Sequence, residues 1–262
     1  MNPELCNQRN ERRGYKTTEY NSYHFTVKEK LMHLLRGFIL ILVIGYLFYK
    51  HLIGILILIP LIYYYMKEKK KQLMKERKWK LNQEFRDGIL SLSAALEAGY
   101  SAENAIEEAR KDLHHIYQDE AMILQEFTYM GNQIRMNVTV EKVLEDFALR
   151  SQVEDILSFS EVFSTAKRTG GDLINVIKLT GNVINDKIEV KREIITLITA
   201  KRMEANIMKG IPLFILAYLT LSSPDFLDPL YHNAFGVFVM SVLLILYLGA
   251  ILVIERIVSI EV

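Results

Sequence analysis

The chain has 262 residues, half of them hydrophobic, and 32 Lys and Arg set against 31 Asp and Glu give a net charge of +1. The hydrophobic residues are unevenly spread, so their clustering sets the class of protein. A lone cysteine, Cys6, excludes an intramolecular disulfide and gives no reason to expect an oxidising compartment.

In chain order, a Lys/Arg-rich start (Arg9, Arg12, Arg13, Lys16, Lys28, Lys30, Arg36) leads into two uncharged runs. These are residues 37–49 (GFILILVIGYLFY) and 52–66 (LIGILILIPLIYYYM), which meet at Lys50 and His51. A single crossing would leave the basic N-terminus opposite the more basic residues 67–80, against the positive-inside tendency. A hairpin of two short spans keeps both on the cytoplasmic side, with Lys50 and His51 at the far turn and Arg36 and Lys67 snorkelling at the ends. An apolar core followed at once by a second one is not a cleavable signal peptide. Residues 67–80 carry eight basic and two acidic side chains. Beside a span, Lys67, Lys69, Lys70, Lys71, Lys75, Arg77 and Lys78 read as contacts to lipid headgroups or a partner rather than to nucleic acid.

Residues 81–208 contain no proline and alternate apolar with charged positions at helical spacing, which predicts an all-helical cytosolic bundle. Phe85, Ile89, Leu92 and Leu96 draw one apolar stripe, and Gly99 ends it as a C-terminal cap. Ser101 caps the following helix, with Glu103 in its first turn. Thr139 stands likewise before Val140, Val143, Leu144 and Phe147. The two starts match in hydroxyl, Glu, apolar pair and acidic pair, through either a duplicated helical hairpin or shared capping chemistry.

The paired glycines of Thr169-Gly170-Gly171-Asp172-Leu173 lack the later elements of a phosphate-binding loop and put an acid where the anion would sit. They read as a turn in which Gly170 or Gly171 ends one helix and Asp172 caps the next. From residue 172 to 209, Gly181, Ile184, Ile188, Lys191, Ile195, Ile198, Arg202 and Ala205 keep a 3–4 spacing, the seam of a long helix running into the third span. Gly210 and Pro212 lie where that helix meets the bilayer and form a candidate hinge.

Two further uncharged runs, residues 211–221 and 235–254, complete four spans with both termini inside. Their link, residues 222–233, carries no Lys or Arg and faces outward. Glu108, Asp112 and His115 share one helical face, but no second Glu-x-x-His completes a bundle metal site, and a solvated helix end explains them. No nucleophile motif, cofactor fingerprint or charged residue within the spans argues for an enzyme or a transporter. No cofactor is expected.

Two short spans, a basic juncture, Leu96-Glu97-Ala98-Gly99-Tyr100-Ser101 followed by Ala105-Ile106, then Thr169-Gly170-Gly171-Asp172-Leu173, a long helix and two final spans resemble the type II secretion system F-domain family. Within it, the short single-domain form is similar to the platform proteins of tight-adherence (Tad or Flp) pili. The resemblance extends from about Leu34 to the C-terminus. It departs at Met136-Asn137-Val138-Thr139, where the family often has a glycine before its second hydroxyl cap.

The resemblance implies an all-α, multi-pass bacterial inner-membrane protein. Its parts are a basic tail (residues 1–33), a transmembrane hairpin (34–66), the cytosolic F domain (67–209), two final spans (210–254) and a short cytosolic tail (255–262). It implies a non-enzymatic platform that couples a separate cytosolic secretion ATPase to pilin extraction and filament assembly, alongside an identical or paralogous platform subunit. The alternative is a membrane-anchored helical sensor whose cytosolic domain binds a regulator, although no outer loop exceeds ordinary connection length.

Overall fold

The computed structural model describes residues 20–21, 25–50, 52–169, 172–231 and 233–258. The far-turn His51, the pair Gly170 and Gly171, Cys6, the basic residues before position 20 and the last four residues of the C-terminal tail lie outside the described residues. Among the described residues every regular element is helical: α1 (Val27–Tyr49), α2 (Leu52–Glu97), α3 (Ala102–Ile116), α4 (Met122–Arg135), α5 (Val140–Ser151), α6 (Glu154–Thr169), α7 (Leu173–Ser222), α8 (Pro224–Tyr231) and α9 (Ala234–Val258). The chain divides into two compact units, one formed by Met1–His24 with Lys71–Glu189 and the other by Phe25–Lys70 with Val190–Val262.

The first unit is a helical bundle in which α3 packs on α4, α4 on α5 and α5 on α6. The stripe Phe85, Ile89, Leu92 and Leu96 is buried, as are Val140, Val143, Leu144 and Phe147. Phe85 meets Phe159 edge-on at 5.5 Å and Phe147 at 5.9 Å between ring centroids, the offset geometry favoured by aromatic quadrupoles. Ile177, Ile184 and Ile188 of α7 close the core. A Cβ added at Gly181 would stand 3.0 Å from Ile89 Cγ2, so the glycine lets α7 lie close against α2. Beyond Ile188 the seam is no longer covered continuously: Ile195 and Arg202 are exposed, and Ala205 is buried again.

Two turns of the bundle share one geometry. At the end of α2, Tyr100 N–H donates to Ala95 O at 3.2 Å and Gly99 N–H to Leu96 O at 3.0 Å, with Gly99 at φ +90°. At the end of α4, Val138 N–H donates to Gln133 O at 3.1 Å and Asn137 N–H to Ile134 O at 2.9 Å, with Asn137 at φ +62°. Both are Schellman closures, in which a left-handed residue lets two amides fold back onto orphan carbonyls. Asn tolerates that conformation better than other non-glycine residues. It therefore fills the position where the sequence lacks the expected glycine, two residues before the hydroxyl cap in each case.

The second unit has a smaller apolar cluster in which Ile41, Ile44, Leu47 and Phe48 of α1 meet Leu227, Tyr231, Met240 and Leu244. Among the described residues, most of its other large apolar side chains are exposed, for example Phe38, Ile39, Phe214, Phe238 and Leu246. An apolar surface of that extent suits a hydrocarbon solvent. Among the described residues, three helices are long and apolar enough to cross a membrane: Val27–Tyr49, Leu173–Ser222 and Phe235–Ile257. The protein is an all-α membrane protein. The run 52–66 forms the first part of α2, and the side chains of residues 52–61 lie outside the described residues.

The two long helices are α2, 46 residues, and α7, 50 residues, each unbroken. The continuity of α7 follows the sequence pattern. That of α2 comes from residues 67–80, whose Lys, Glu, Gln, Leu and Met are good helix formers.

Candidate functional site

The junction at residues 208–212 lies inside α7, with Gly210 and Pro212 both within the helix. Pro212 has no N–H for the Met208 carbonyl four residues earlier. A Cβ at Gly210 would meet nothing within 4 Å, so packing does not demand glycine there. Lys209 is fastened twice to α9: its carbonyl accepts Tyr247 Oη–H at 2.7 Å, and its ammonium pairs with Glu255 at 3.2 Å. At the other end of this unit, Lys50 pairs with Asp228 at 3.5 Å and lies 4.8 Å from the Tyr231 ring centroid, while Tyr231 Oη–H donates to Leu47 O at 2.7 Å.

The cap residues sit at helix starts. Ser101 Oγ accepts Asn104 N–H at 3.4 Å, and Asp172 Oδ1 accepts Asn175 N–H at 3.1 Å. Thr139 has the extended backbone of an N-cap, but its hydroxyl takes no first-turn amide. Its own backbone amide, and then Lys167, hold the Glu103 carboxyl below the usual range against the effect of burial. Burial opposes the same shift at Glu141, where backbone bonding and Lys167 outweigh it. Lys167 thus bridges the two matching helix starts, at 3.5 Å from Glu103 and 3.1 Å from Glu141.

The basic stretch is divided. Lys67, Lys70, Lys71 and Lys75 are exposed and Lys69 is half-buried. Arg77 and Lys78 instead turn to the bundle: Arg77 lies 5.0 Å from the Tyr20 ring centroid, and Lys78 Nζ donates to Asn21 Oδ1 at 3.1 Å.

Three polar features of the bundle lie outside any sequence motif. Arg150 binds Glu126 with both terminal nitrogens, at 2.9 and 2.6 Å, and donates through Nε to Asp146 at 2.8 Å. Burial opposes charge on Arg150, but the bonds to Glu126 and Asp146 outweigh it and raise its pKa. Glu84, buried, accepts Ile123 N–H at 3.0 Å and so caps α4, whose own N-cap residue is Ala121. Asn82 donates to Asp155 at 2.6 Å, and Lys187 reaches the other oxygen of Asp155 at 2.7 Å, joining α2, α6 and α7. Among the described residues no cluster of three or more His, Cys, Asp or Glu has a metal-binding arrangement. Glu108 pairs with Lys111 at 2.8 Å and His114 lies 3.1 Å from Asp119.

This arrangement offers helix packing, two long continuous helices and charged fastenings. The family model for Type II secretion system (T2SS), protein F matches residues 89–221, just over half of the chain. No curated protein and no solved structure matches it. Proteins of that family are non-enzymatic components of the inner-membrane platform in secretion and pilus systems. A match that runs from the α2 stripe through the bundle and along α7 to its apolar end places this chain in the type II secretion system protein F family.

Proposed function

We propose that the chain is the inner-membrane platform of a tight-adherence-type pilus or a type II-like secretion system. In this reading it has no catalytic activity of its own. A separate cytosolic ATPase pushes on the bundle, the motion passes to the spans, and pilin subunits are lifted from the membrane into a filament. An identical or paralogous subunit completes the platform, and the exposed lysines of α2 rest on lipid headgroups. The observation that carries the reading is α7, one helix from Leu173 in the bundle to Ser222 at the end of an apolar segment. A helix is stiff along its axis, so it can transmit displacement without a nucleotide site of its own.

Deletion of the chain in its host tests this. Surface filaments should vanish while the ATPase keeps its hydrolysis rate, and the purified chain should retain the ATPase in a pull-down. Persistent filaments, or nucleotide hydrolysis by the purified chain itself, would sink the reading. The proposed topology has four spans with both termini cytosolic. In a Cys6→Ser background, a cysteine at Asn233 should react with an impermeant thiol reagent added to intact spheroplasts, and one at Gln83 should not.

A further inference from the structure

Tyr20 lies in a polar stretch (TTEYNSYH) of the N-terminal tail, yet it is 1% exposed and joins the bundle core. Its backbone is not helical, so it does not reach the core as one position of an apolar stripe. Its aromatic side chain is recognised at each of its parts. The hydroxyl donates to Glu126 Oε1 at 2.8 Å, the guanidinium of Arg77 lies 5.0 Å from the ring centroid, and the neighbouring Asn21 accepts Lys78 Nζ.

The receptor is built without Tyr20. Glu126 is held in both its oxygens by Arg150, and Arg150 is fixed in turn by Asp146 and by the ring of Tyr129 at 5.2 Å. Glu126 Oε1 retains acceptor capacity for a hydroxyl donor. A cation against the ring and an ionised acceptor at its tip together select a phenol over a phenyl ring.

We propose that Arg77, Glu126 and Arg150 form a tyrosyl-binding socket, filled by this chain's own Tyr20, which fastens the chain at residues 20–21 to the bundle. The attachment rests on the Tyr20 side chain, with Asn21 beside it.

The test uses the full chain in detergent micelles. In the wild type, tetranitromethane should leave Tyr20 unmodified until the chain is unfolded, as read by peptide mass; equal rates in the folded and unfolded chain would overturn the proposal. Tyr20→Ala should lower the unfolding midpoint, p-cresol should restore it, and toluene at the same concentration should not. No response to p-cresol, or an equal response to toluene, would show that the site does not recognise the hydroxyl. If Tyr20→Ala yields no folded protein, Tyr20→Phe decides: a lowered midpoint supports the socket, and a midpoint equal to that of the wild type refutes it.

Discussion

Phe85 and Phe159 of the bundle are each 1% exposed, whereas Phe214 and Phe238 of the membrane unit are 74% and 65% exposed. The same side chain is treated oppositely because the two units face different solvents. In the bundle, removing a phenyl ring from water is the driving force, so apolar periodicity translates into burial. In the spans, lipid tails are as apolar as the side chains, and burial against protein is confined to a smaller cluster backed by hydrogen bonds and ion pairs at the helix ends. Apolar residues therefore define the interior of one unit and the exterior of the other.

The largest expected contrast follows directly. Phe85→Ala should destabilise the bundle by about 3–5 kcal/mol, through lost transfer energy and a cavity. Phe238→Ala should stay within about 0.5 kcal/mol of wild type, as for an ordinary surface change. Unfolding in micelles, followed by protease resistance of the bundle, measures both, and similar losses at the two sites would break the comparison.

Arg150 gives the next effect. Arg150→Met leaves the buried Glu126 carboxylate unpaired and should cost about 3–5 kcal/mol. Adding Glu126→Leu should recover part of that loss, because the uncompensated charge is removed although the Tyr20 hydroxyl loses its acceptor. A double variant no more stable than Arg150→Met would show that the unpaired charge on Glu126 is not what costs the stability.

Acid should act on the bundle through carboxyls that its helix starts and ion pairs stabilise in the charged form. Glu103, Glu107 and Glu141 have carboxyls held below their usual value of 4.5. A depressed carboxyl contributes stability that is present above its unfolded value and is lost as pH falls through the folded one. The unfolding midpoint should therefore drop below about pH 4.5. These groups are partly exposed, so the Lys167→Met variant should remove at most about 1 kcal/mol of the acid-sensitive stability. A flat acid profile in wild type would contradict the assignment.

The smallest change is a gain. Gly210→Ala fills open space inside a helix, so it should stabilise α7 by up to about 1 kcal/mol. If the junction must bend, filament number should fall even as thermal stability rises. Unchanged assembly would remove Gly210 from the hinge.

These contrasts also separate what was legible from what was not. Stripes such as Phe85 to Leu96 and caps such as Ser101 are local, and the helical repeat displays them. Asn137 was masked because its left-handed conformation replaces a glycine signal with a weaker one, although its place two residues before Thr139 copies that of Gly99 before Ser101. The contact between Tyr20 and Glu126 spans 106 residues and follows no period, so nothing local announces it. Glu84 is similar: a carboxylate on α2 caps a helix start whose own residue, Ala121, has no polar side chain to do so. The continuity of α2 lay in helix propensity, behind a run of lysines whose charge drew the reading towards the membrane surface.

The central claim is that displacement of the bundle reaches the membrane along α7. Two glycines inserted after Ala205 soften that helix by about 1 kcal/mol per residue relative to alanine. Leu197→Gly with Ala200→Gly does the same at exposed positions without rotating the register. Filaments counted on cells carrying either variant, with the ATPase pull-down and membrane insertion as controls, give the decisive reading. The account predicts normal insertion, normal ATPase binding and no filaments; full piliation with both variants would contradict it and move the coupling to α2.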